Sequence, residues 1–332
     1  RRIRQVGRLV PVPPAPVDRL ATCPPTVCGR VFPERLRRAM TVDVLFPFYG
    51  DVELMKQAVH SVLRQSYGDF RLIVIDDGYP DASIPGWFAA LGDDRVSYER
   101  NATNLGANGN YRKALTRVTN ELVVVMGADD VMLPNYLQWL VDRAGEHPEV
   151  QIFQPGVVVI DEHGSGVNGL VDAVKSVYRP RGSGLRVLTG EALAVSLLRG
   201  DWLYFPSVGW RAETITSIGF REGYDVVQDL ALALDVAMHG GSLLVDSQLA
   251  FMYRRHSSSD SSVRALSGTR FDEERRFFEN MAAEMAERGW NHAARVARLH
   301  LSSRFHAATL LPGALRHGNR EGLRNLGRHL VK

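Results

Sequence analysis

Residues 41–76 read TVDVLFPFYGDVELMKQAVHSVLRQSYGDFRLIVID, and the fold is decided in this stretch. It opens with the aliphatic run TVDVLF and closes with a second one, RLIVID. Between the two runs, Leu54, Ala58 and Val62 recur at helical spacing, and Asp51 stands at the N-cap position. Because continuous aliphatic runs are typical of buried parallel strands, the stretch predicts a strand–helix–strand unit.

The same alternation continues along the chain and extends this unit into a sheet. RVSYER and ELVVVM predict two more strands, with helical patterns between and after them. Beyond residue 150 the signals are mixed; a strand pair is expected near 243–254, and the pattern is helical from about Arg270. The predicted helices before that point cover 52–64, 84–91, 108–118, 134–146, 191–198 and 227–238.

These elements predict an α/β fold with a mostly parallel central sheet, flanking helices and a C-terminal helical extension. We expect a leader over 1–40, one α/β domain over 41–265, and the extension over 266–332. The leader holds seven of the sixteen prolines and no sustained periodic pattern, which favours a disordered or extraneous segment.

The formal net charge of +3 does not indicate nucleic-acid binding, because the charge is unevenly distributed. Residues 1–40 contain nine Arg and two acids and so carry +7, which leaves −4 for the rest of the chain. A basic tail on a mildly acidic body is not a basic binding face. The longest apolar runs are too short to cross a bilayer. We therefore expect a cytoplasmic protein with at most peripheral contact with the inner face of the membrane.

Acidic residues follow two of the predicted strands at the point where each strand ends. Asp76 and Asp77 end the second strand, and Asp129 and Asp130 follow the fourth. Ligands of open α/β sheets bind outside the carboxyl ends of the strands, where these carboxylates should converge. Converging carboxylates favour a hard divalent cation, Mg²⁺ or Mn²⁺, which would in turn bring a diphosphate. Each Asp alone could be a turn former or a helix cap, but two pairs at one sheet edge favour a site.

Three segments, in this order and at this spacing, resemble glycosyltransferase family 2, whose fold is GT-A, a Rossmann-like nucleotide-diphospho-sugar transferase fold. They are VLFPFYGDVELMKQAVHSVLRQSYGDFRLIVIDDG, NATNLGANGNYRKAL and VVVMGADDVMLPNYL. The resemblance implies a nucleotide-sugar-binding half over 41–150, an acceptor half over 151–265, and a metal-dependent transfer that inverts the anomeric centre.

The resemblance also implies roles for individual residues. Asp229, in VVQDLALAL, matches the general base that takes the proton of the acceptor hydroxyl, although an Asp at a helix N-terminus is also favoured by the helix dipole alone. The residues that would hold the metal are Asp129, Asp130 and His256; the last could instead be an ordinary solvated loop histidine. The residues that would contact the nucleotide sugar are Pro47, Tyr49, Asp76, Asp77, Arg100, Asn104, Gly106 and Asp129.

The chain departs from the family pattern at three positions. Gly127 stands where the acidic motif after the fourth strand usually begins with Asp, which puts the ribose contact or the metal affinity in doubt. Tyr79 replaces the usual Ser after the second-strand acids, and Gln228 replaces the usual Glu before the base. These changes affect the expected donor pocket but leave the catalytic carboxylate in place.

The resemblance implies a bacterial hexosyl- or deoxyhexosyltransferase of polysaccharide or glycoconjugate biosynthesis, with a UDP- or dTDP-linked donor. The acceptor would be a glycan, a glycolipid or a small molecule. The alternative is a non-catalytic GT-A-like protein that binds a nucleotide or glycan; Gly127 favours it and Asp229 opposes it. A dehydrogenase is excluded because no Gly-rich loop of the required spacing follows the first strand. For the basic C-terminal helices, a solvated face is favoured over a lipid-bound one.

Overall fold

The computed structural model describes residues 40–167, 169–180, 184–255, 269–316 and 320–331. The first half contains β1 (Val42–Phe48), α1 (Val52–Leu63), β2 (Phe70–Asp76), α2 (Ile84–Ala90), β3 (Val96–Arg100), α3 (Gly106–Leu115), β4 (Leu122–Val125), β5 (Val131–Met132) and α4 (Tyr136–Glu146). The second half contains β6 (Ile152–Ile160), α5 (Leu170–Tyr178), β7 (Arg186–Thr189), α6 (Gly190–Arg199), β8 (Gly209–Arg211), α7 (Ala212–Ile218), α8 (Gln228–Met238) and β9 (Ser242–Arg254). Four helices follow: α9 (Thr269–Glu287), α10 (Asn291–Leu299), α11 (Leu301–Arg316) and α12 (Arg320–Val331).

The strands form one sheet in the order β3-β2-β1-β4-β8-β6-β9-β5, with β7 beside β9. The first four strands of this order are parallel to each other, which confirms the α/β prediction. β8 joins antiparallel between β4 and β6, while β6 and β9 pair in parallel. Because β1, β2 and β4 run in the same direction, the segments that follow them meet at one edge of the sheet.

Helices cover both faces of the sheet, and alternate residues of each strand pack on opposite faces. Val44 and Phe46 of β1 pack with α1 and α4, whereas Leu45 points to the opposite core. That opposite core is built from α3, α6 and α8, and also from α9 and α10. Helices α9 and α10 therefore contribute to the same hydrophobic core as α3, α6 and α8.

Helix α1 forms as the sequence predicts, because its cap and its apolar stripe agree. The Asp51 carboxylate accepts a hydrogen bond from the Leu54 amide at 2.9 Å. Ala58 and Val62 of the predicted stripe are buried together with Met55, whereas Leu54 is half-buried. Helix α4 begins two residues after Pro134, whose carbonyl accepts a hydrogen bond from the amide of Ser66 at 2.8 Å.

The strand pair expected near 243–254 is wrong, because this segment is a single strand, β9. The polar residues Ser247 and Gln248 in its middle resemble a turn in the sequence. They are accommodated by an irregularity in the pairing with β6 at Gly156, where a side-chain Cβ would lie 2.6 Å from the carbonyl oxygen of Ser247. The absence of a side chain at Gly156 lets the two backbones approach, so that β9 continues without a break.

Candidate functional site

Asp76 and Asp77 lie at the carboxyl end of β2 and are buried. The Asp76 carboxylate accepts hydrogen bonds from the Tyr98 hydroxyl at 2.6 Å and from the Tyr79 amide at 2.8 Å. Oδ1 of Asp77 accepts from the Leu105 amide at 2.8 Å. The two carboxylates thus hold the loops that follow β2 and β3.

A chain of buried amides continues from Asp77 into helix α3. Nδ2 of Asn101 donates to Asp77 at 2.7 Å and to the side-chain oxygen of Asn110 at 3.1 Å. Asn104, one of the predicted nucleotide contacts, accepts a hydrogen bond from the Gly106 amide at 2.9 Å. Gly106 has a φ of 74°, a backbone conformation that residues with a side chain rarely adopt. This loop is therefore shaped by its own polar side chains before any ligand enters.

Tyr49, Tyr79 and Arg100 form the exposed rim of this region. Tyr49 is 56% exposed, and its ring meets that of Tyr79 edge-on with centroids 5.2 Å apart. The Arg100 guanidinium donates to the Tyr79 carbonyl at 2.6 Å. Pro47, in contrast, is buried within β1 opposite Ile75 of β2. The structure thus brings Tyr49, Asp76 and Arg100 together around Tyr79, which is one of the three residues that depart from the family pattern.

Asp129 and Asp130 lie just after β4, with their carboxylates beside Gly127. A Cβ placed on Gly127 would lie 2.3 Å from Oδ2 of Asp130 and 3.3 Å from Oδ1 of Asp129. Asp130 is 1% exposed, and burial together with the charge of Asp129 raises its pKa well above the usual value. Neither carboxylate caps α4, whose N-cap is Asn135. The departure at Gly127 therefore has a steric reason, because a side chain there would displace the Asp130 carboxylate.

Arg254, at the end of β9, fixes the loop that carries these two acids. Its amide donates to Oδ1 of Asp130 at 2.7 Å, and its Nε donates to the Asp129 carbonyl, also at 2.7 Å. The rest of the guanidinium donates to the carbonyls of Asp161 and Glu162, each at 3.0 Å, and to Oε1 of Gln57 at 3.1 Å. No motif indicated this role beyond the presence of a basic residue before His256, and His256 itself lies outside the described residues.

The Asp129–Asp130 pair fits one side of a divalent-cation site. Magnesium in proteins is typically held by one or two carboxylates together with substrate phosphates. Within the described ranges no group of three or more His, Cys, Asp or Glu side chains could hold a metal ion. The donor set of this chain would thus be completed by the oxygens of a bound diphosphate.

Asp229 lies in the first turn of α8 and is half-buried. Burial, and next the negative charge of Asp201, raise its pKa to about 7, while the Leu230 amide and Lys175 act in the opposite direction. The preceding Gln228 accepts a hydrogen bond from the side chain of Asn108 in α3 at 2.9 Å. An amide at position 228 therefore anchors the start of α8, and Asp229 is poised to exchange a proton near neutral pH.

A polar cluster that the sequence did not predict lies beside Tyr253, whose ring centroid is 5.1 Å from that of Tyr204. The Arg255 guanidinium donates to both oxygens of Asp172 at 2.7 and 2.9 Å, and the Tyr204 hydroxyl donates to Asp172 at 3.0 Å. Trp202 and Trp210, which could in principle stack on a sugar, are buried in the core with Tyr204. These residues come from α5, the segment before β8 and the end of β9, so no local motif relates them.

Tyr253 lies within electrostatic range of both the Asp129–Asp130 pair and Asp229. Its pKa is raised by burial first and then by the negative charge of Asp130, with smaller contributions from Asp129 and Asp229. The hydroxyl of Tyr253 is thus within electrostatic range of both the carboxylate pair after β4 and the carboxylate of α8. Asp129 and Asp130, two of the three predicted metal ligands, thus lie within electrostatic range of the same tyrosine as Asp229, the predicted base.

Comparisons with known proteins identify the family that this chain resembles. Residues 43–181 match the family model described as glycosyl transferase family 2. The chain is 28% identical over 125 residues to the putative glycosyltransferase EpsE of Bacillus subtilis, which is 37% of this chain and 45% of EpsE. It is 29% identical over 107 residues to the GalNAc(5)-diNAcBac-PP-undecaprenol beta-1,3-glucosyltransferase of Campylobacter jejuni, 32% of this chain and 35% of that protein. The matches thus span less than half the length of either relative.

Solved structures show the same fold. The structure of S. aureus TarS 1–349 in complex with UDP-GlcNAc superposes with a TM-score of 0.66 at 15% sequence identity, covering 87% of this chain and 80% of that one. The UDP complex of TarS 1–349 gives a TM-score of 0.54 at 14% identity, covering 88% and 90%. The fold of this chain is GT-A.

Proposed function

Because residues 43–181 match the family model of glycosyl transferase family 2, we propose that this chain is an enzyme of that family that transfers a sugar from a nucleoside diphosphate to an acceptor hydroxyl. The observation that carries the proposal is that Asp229 and the Asp129–Asp130 pair lie within electrostatic range of the same residue, Tyr253. Sugar transfer requires both a base for the acceptor proton and charge compensation for the departing diphosphate. The two acidic groups supply the residues for both requirements.

The donor proposed is a UDP- or dTDP-linked sugar. The TarS complexes contain UDP-GlcNAc and UDP, which supports a uridine nucleotide in a fold of this kind. Tyr49, Asp76 and Arg100 would surround the base, Asp77 and Asn104 would hold the loop beside the ribose, and Gly106 would let the backbone approach the phosphates. Pro47 would act from within β1 by fixing the strand end beneath the base.

In the proposed reaction the Asp229 carboxylate accepts the proton of the acceptor hydroxyl. The acceptor oxygen then forms a bond to the anomeric carbon on the face opposite the diphosphate. The bond from that carbon to the phosphate oxygen breaks, the diphosphate leaves with the electron pair, and the anomeric centre is inverted. Mg²⁺ or Mn²⁺ held by Asp129 and Asp130, with His256 as a further candidate ligand, would neutralise the diphosphate as a Lewis acid.

The acceptor proposed is a glycan or glycolipid. The name of the Campylobacter jejuni relative states that it acts on an undecaprenol-linked glycan, which supports the glycolipid member of this class. A protein that uses nucleotide sugars and a lipid-linked acceptor would work in the cytoplasm at the inner face of the membrane.

A panel of nucleotide sugars tests the proposal. UDP-, dTDP-, GDP- and CMP-sugars are each added with Mn²⁺, with Mg²⁺ or with a chelator, while melting temperature reports binding and released nucleotide reports turnover. We expect one uridine or thymidine donor to stabilise the protein in a metal-dependent manner and to be hydrolysed slowly without acceptor. If no donor raises the melting temperature with either metal, the proposal is wrong; binding with no turnover in the presence of lipid-linked and free glycans would favour the non-catalytic alternative.

A further inference from the structure

Helix α11 presents a second apolar face to solvent. Leu301, Phe305 and Leu315 are 64%, 57% and 64% exposed. Ala308 and Pro312, which lie between them in sequence, are exposed as well. The five residues follow one another at intervals of four, three, four and three, so they form one stripe along the helix.

The opposite side of α11 already provides the contacts that hold the helix in the fold. Ala307 is fully buried and packs in one cluster with Phe271 of α9 and Leu326 of α12, and Leu310 and Leu311 lie against that cluster. The exposed stripe is therefore not needed for packing within the described part of the chain. This differs from the solvated polar face that the sequence alone favours.

Positive charge accompanies the stripe. Arg304 and Arg316 lie on either side of it by helical geometry, and Arg298 comes just before the helix. Over residues 291–332 the sequence contains eight Arg and Lys residues and a single acid, Glu321. Apolar side chains flanked by arginines match the boundary between the acyl chains and the phosphates of an anionic bilayer.

We propose that the stripe of α11 (Leu301, Phe305, Ala308, Pro312 and Leu315) docks on an anionic lipid bilayer. The helix lies in the plane of the interface, with Phe305 and Leu315 at the acyl boundary and Arg304 and Arg316 at lipid phosphates. None of the helices in the described ranges is long and apolar enough to cross a membrane, so the contact is peripheral.

Charge argues against a second copy of this chain as the occupant. Two copies facing each other through α11 would bring two strongly basic segments together, and like charges in contact oppose association. The basic N-terminal residues carry charge of the same sign and are disfavoured for the same reason. An anionic bilayer offers acyl chains to the apolar stripe and phosphates to the arginines.

Vesicle flotation tests the proposal and does not depend on the proposed catalytic activity. The full chain is mixed with vesicles of phosphatidylcholine alone or with about one third phosphatidylglycerol, in low and high salt. We expect at least tenfold more protein on the anionic vesicles, and a loss of most of that binding in 0.5 M salt, because the arginine contribution is screened. The double variant Phe305→Ser, Leu315→Ser should bind anionic vesicles at least tenfold less.

Leu249→Ser is the matched control, because Leu249 is 48% exposed but lies on β9, far along the chain from α11. Its vesicle binding should equal that of the wild type. Circular dichroism and melting temperature confirm that each variant is folded. Equal binding to neutral and anionic vesicles, or unchanged binding by the double variant, would overturn the proposal. So would a dimer in analytical ultracentrifugation that the double variant dissolves, because α11 would then be an interface between copies.

Discussion

At the scale of single residues, Asp229 combines two properties that conflict. The first property is a pKa of about 7, to which burial of the carboxylate and, next, the negative charge of Asp201 raise it. A carboxyl group with a raised pKa in the folded state makes the protein less stable as the pH increases, because ionisation is favoured in the unfolded chain. The second property is its proposed role as a base, because only the ionised carboxylate can accept a proton from an acceptor hydroxyl.

Asp229→Asn is therefore expected to gain stability while losing activity. The gain in melting temperature over the wild type should grow between about pH 4 and pH 7 and then level off, reaching ~2 °C or more at pH 8. Turnover should fall at least ~100-fold, the usual contribution of a general base, while donor binding is retained. In the wild type, kcat/KM should decline as the pH falls below about 7. A stability difference independent of pH would contradict the raised pKa, and equal loss of binding and turnover would contradict the role as base.

Gly127 is the second residue whose environment decides its effect. Oδ1 of Asp130 is fixed by the Arg254 amide, so Oδ2 has little freedom to move away from a new Cβ at 2.3 Å. We expect Gly127→Ala to lower the free energy of unfolding by about 1–3 kcal/mol, as overpacking does, and to weaken metal-dependent donor binding.

Gly50→Ala is the matched control for that variant, since a Cβ at Gly50 meets nothing within 4 Å. It should leave both stability and donor binding close to those of the wild type. Titration of Mn²⁺ by melting temperature, with the donor present, measures the effect. If Gly127→Ala or Gly127→Asp bound metal more tightly than the wild type, the steric explanation for the departure would be wrong.

At the scale of elements, Arg254 joins segments that are distant in the chain. One guanidinium holds the loop after β4, the loop after β6 and the side chain of Gln57 in α1. Arg254 is 4% exposed, so its removal would open a cavity and leave the carbonyls of Asp129, Asp161 and Glu162 without this donor. The position of Asp129 and Asp130 thus depends on the end of β9.

Arg254→Ala is expected to lower the free energy of unfolding by about 2–4 kcal/mol and to abolish metal-dependent stabilisation by a donor. Arg254→Lys should recover part of the stability that Arg254→Ala loses, because it keeps the positive charge. It cannot make the several hydrogen bonds of the guanidinium. Gln57→Ala, which removes one of these contacts, should cost about 1 kcal/mol or less. Denaturant unfolding and Mn²⁺ titration separate the two effects. If Arg254→Ala kept the metal dependence of the wild type, the loop that carries Asp129 and Asp130 would be positioned without Arg254.

At the scale of the whole molecule, helices α9 and α10 share one core with α6 and α8. Phe277 of α9 is fully buried among residues of α6 and α8, and its ring meets that of Tyr224 edge-on at 5.5 Å. Tyr224 lies four residues before α8 and accepts a hydrogen bond from Asn108 through its carbonyl at 2.7 Å. Packing by α9 is thereby transmitted to the start of the helix that carries Asp229.

Phe277→Ala should cost about 3–5 kcal/mol of folding free energy, as expected for removal of a fully buried Phe, and turnover should fall more than donor binding. Glu279→Ala, at an exposed position of the same helix, is the control and should change stability by less than ~0.5 kcal/mol. Denaturant unfolding gives the stability, and nucleotide release gives the turnover. If unfolding of Phe277→Ala showed a separate early transition with unchanged activity, α9 would be an independent unit.

The sequence by itself determined the parallel β1–β4 half, helix α1 with its cap, and the presence of acids at strand ends. These features are local: a burial pattern and a cap are set by residues within one or two turns of each other. The general position of Asp229 also followed from a short motif. The continuity of β9 was mispredicted, because Ser247 and Gln248 resemble a turn unless the pairing with Gly156 is known.

Only the tertiary structure decided how the site is held together. The contacts of Arg254 with Asp130 and Gln57 bridge separations of 124 and 197 residues, and the pairing of Arg255 with Asp172 bridges 83. Burial first, and then the charge of Asp201, raise the pKa of Asp229, and both depend on the packing around the first turn of α8. Hydrogen bonds and charges act over a few ångströms in space, whereas sequence patterns report neighbours along the chain, so interactions of this kind appear only once the sheet has brought the strand ends together.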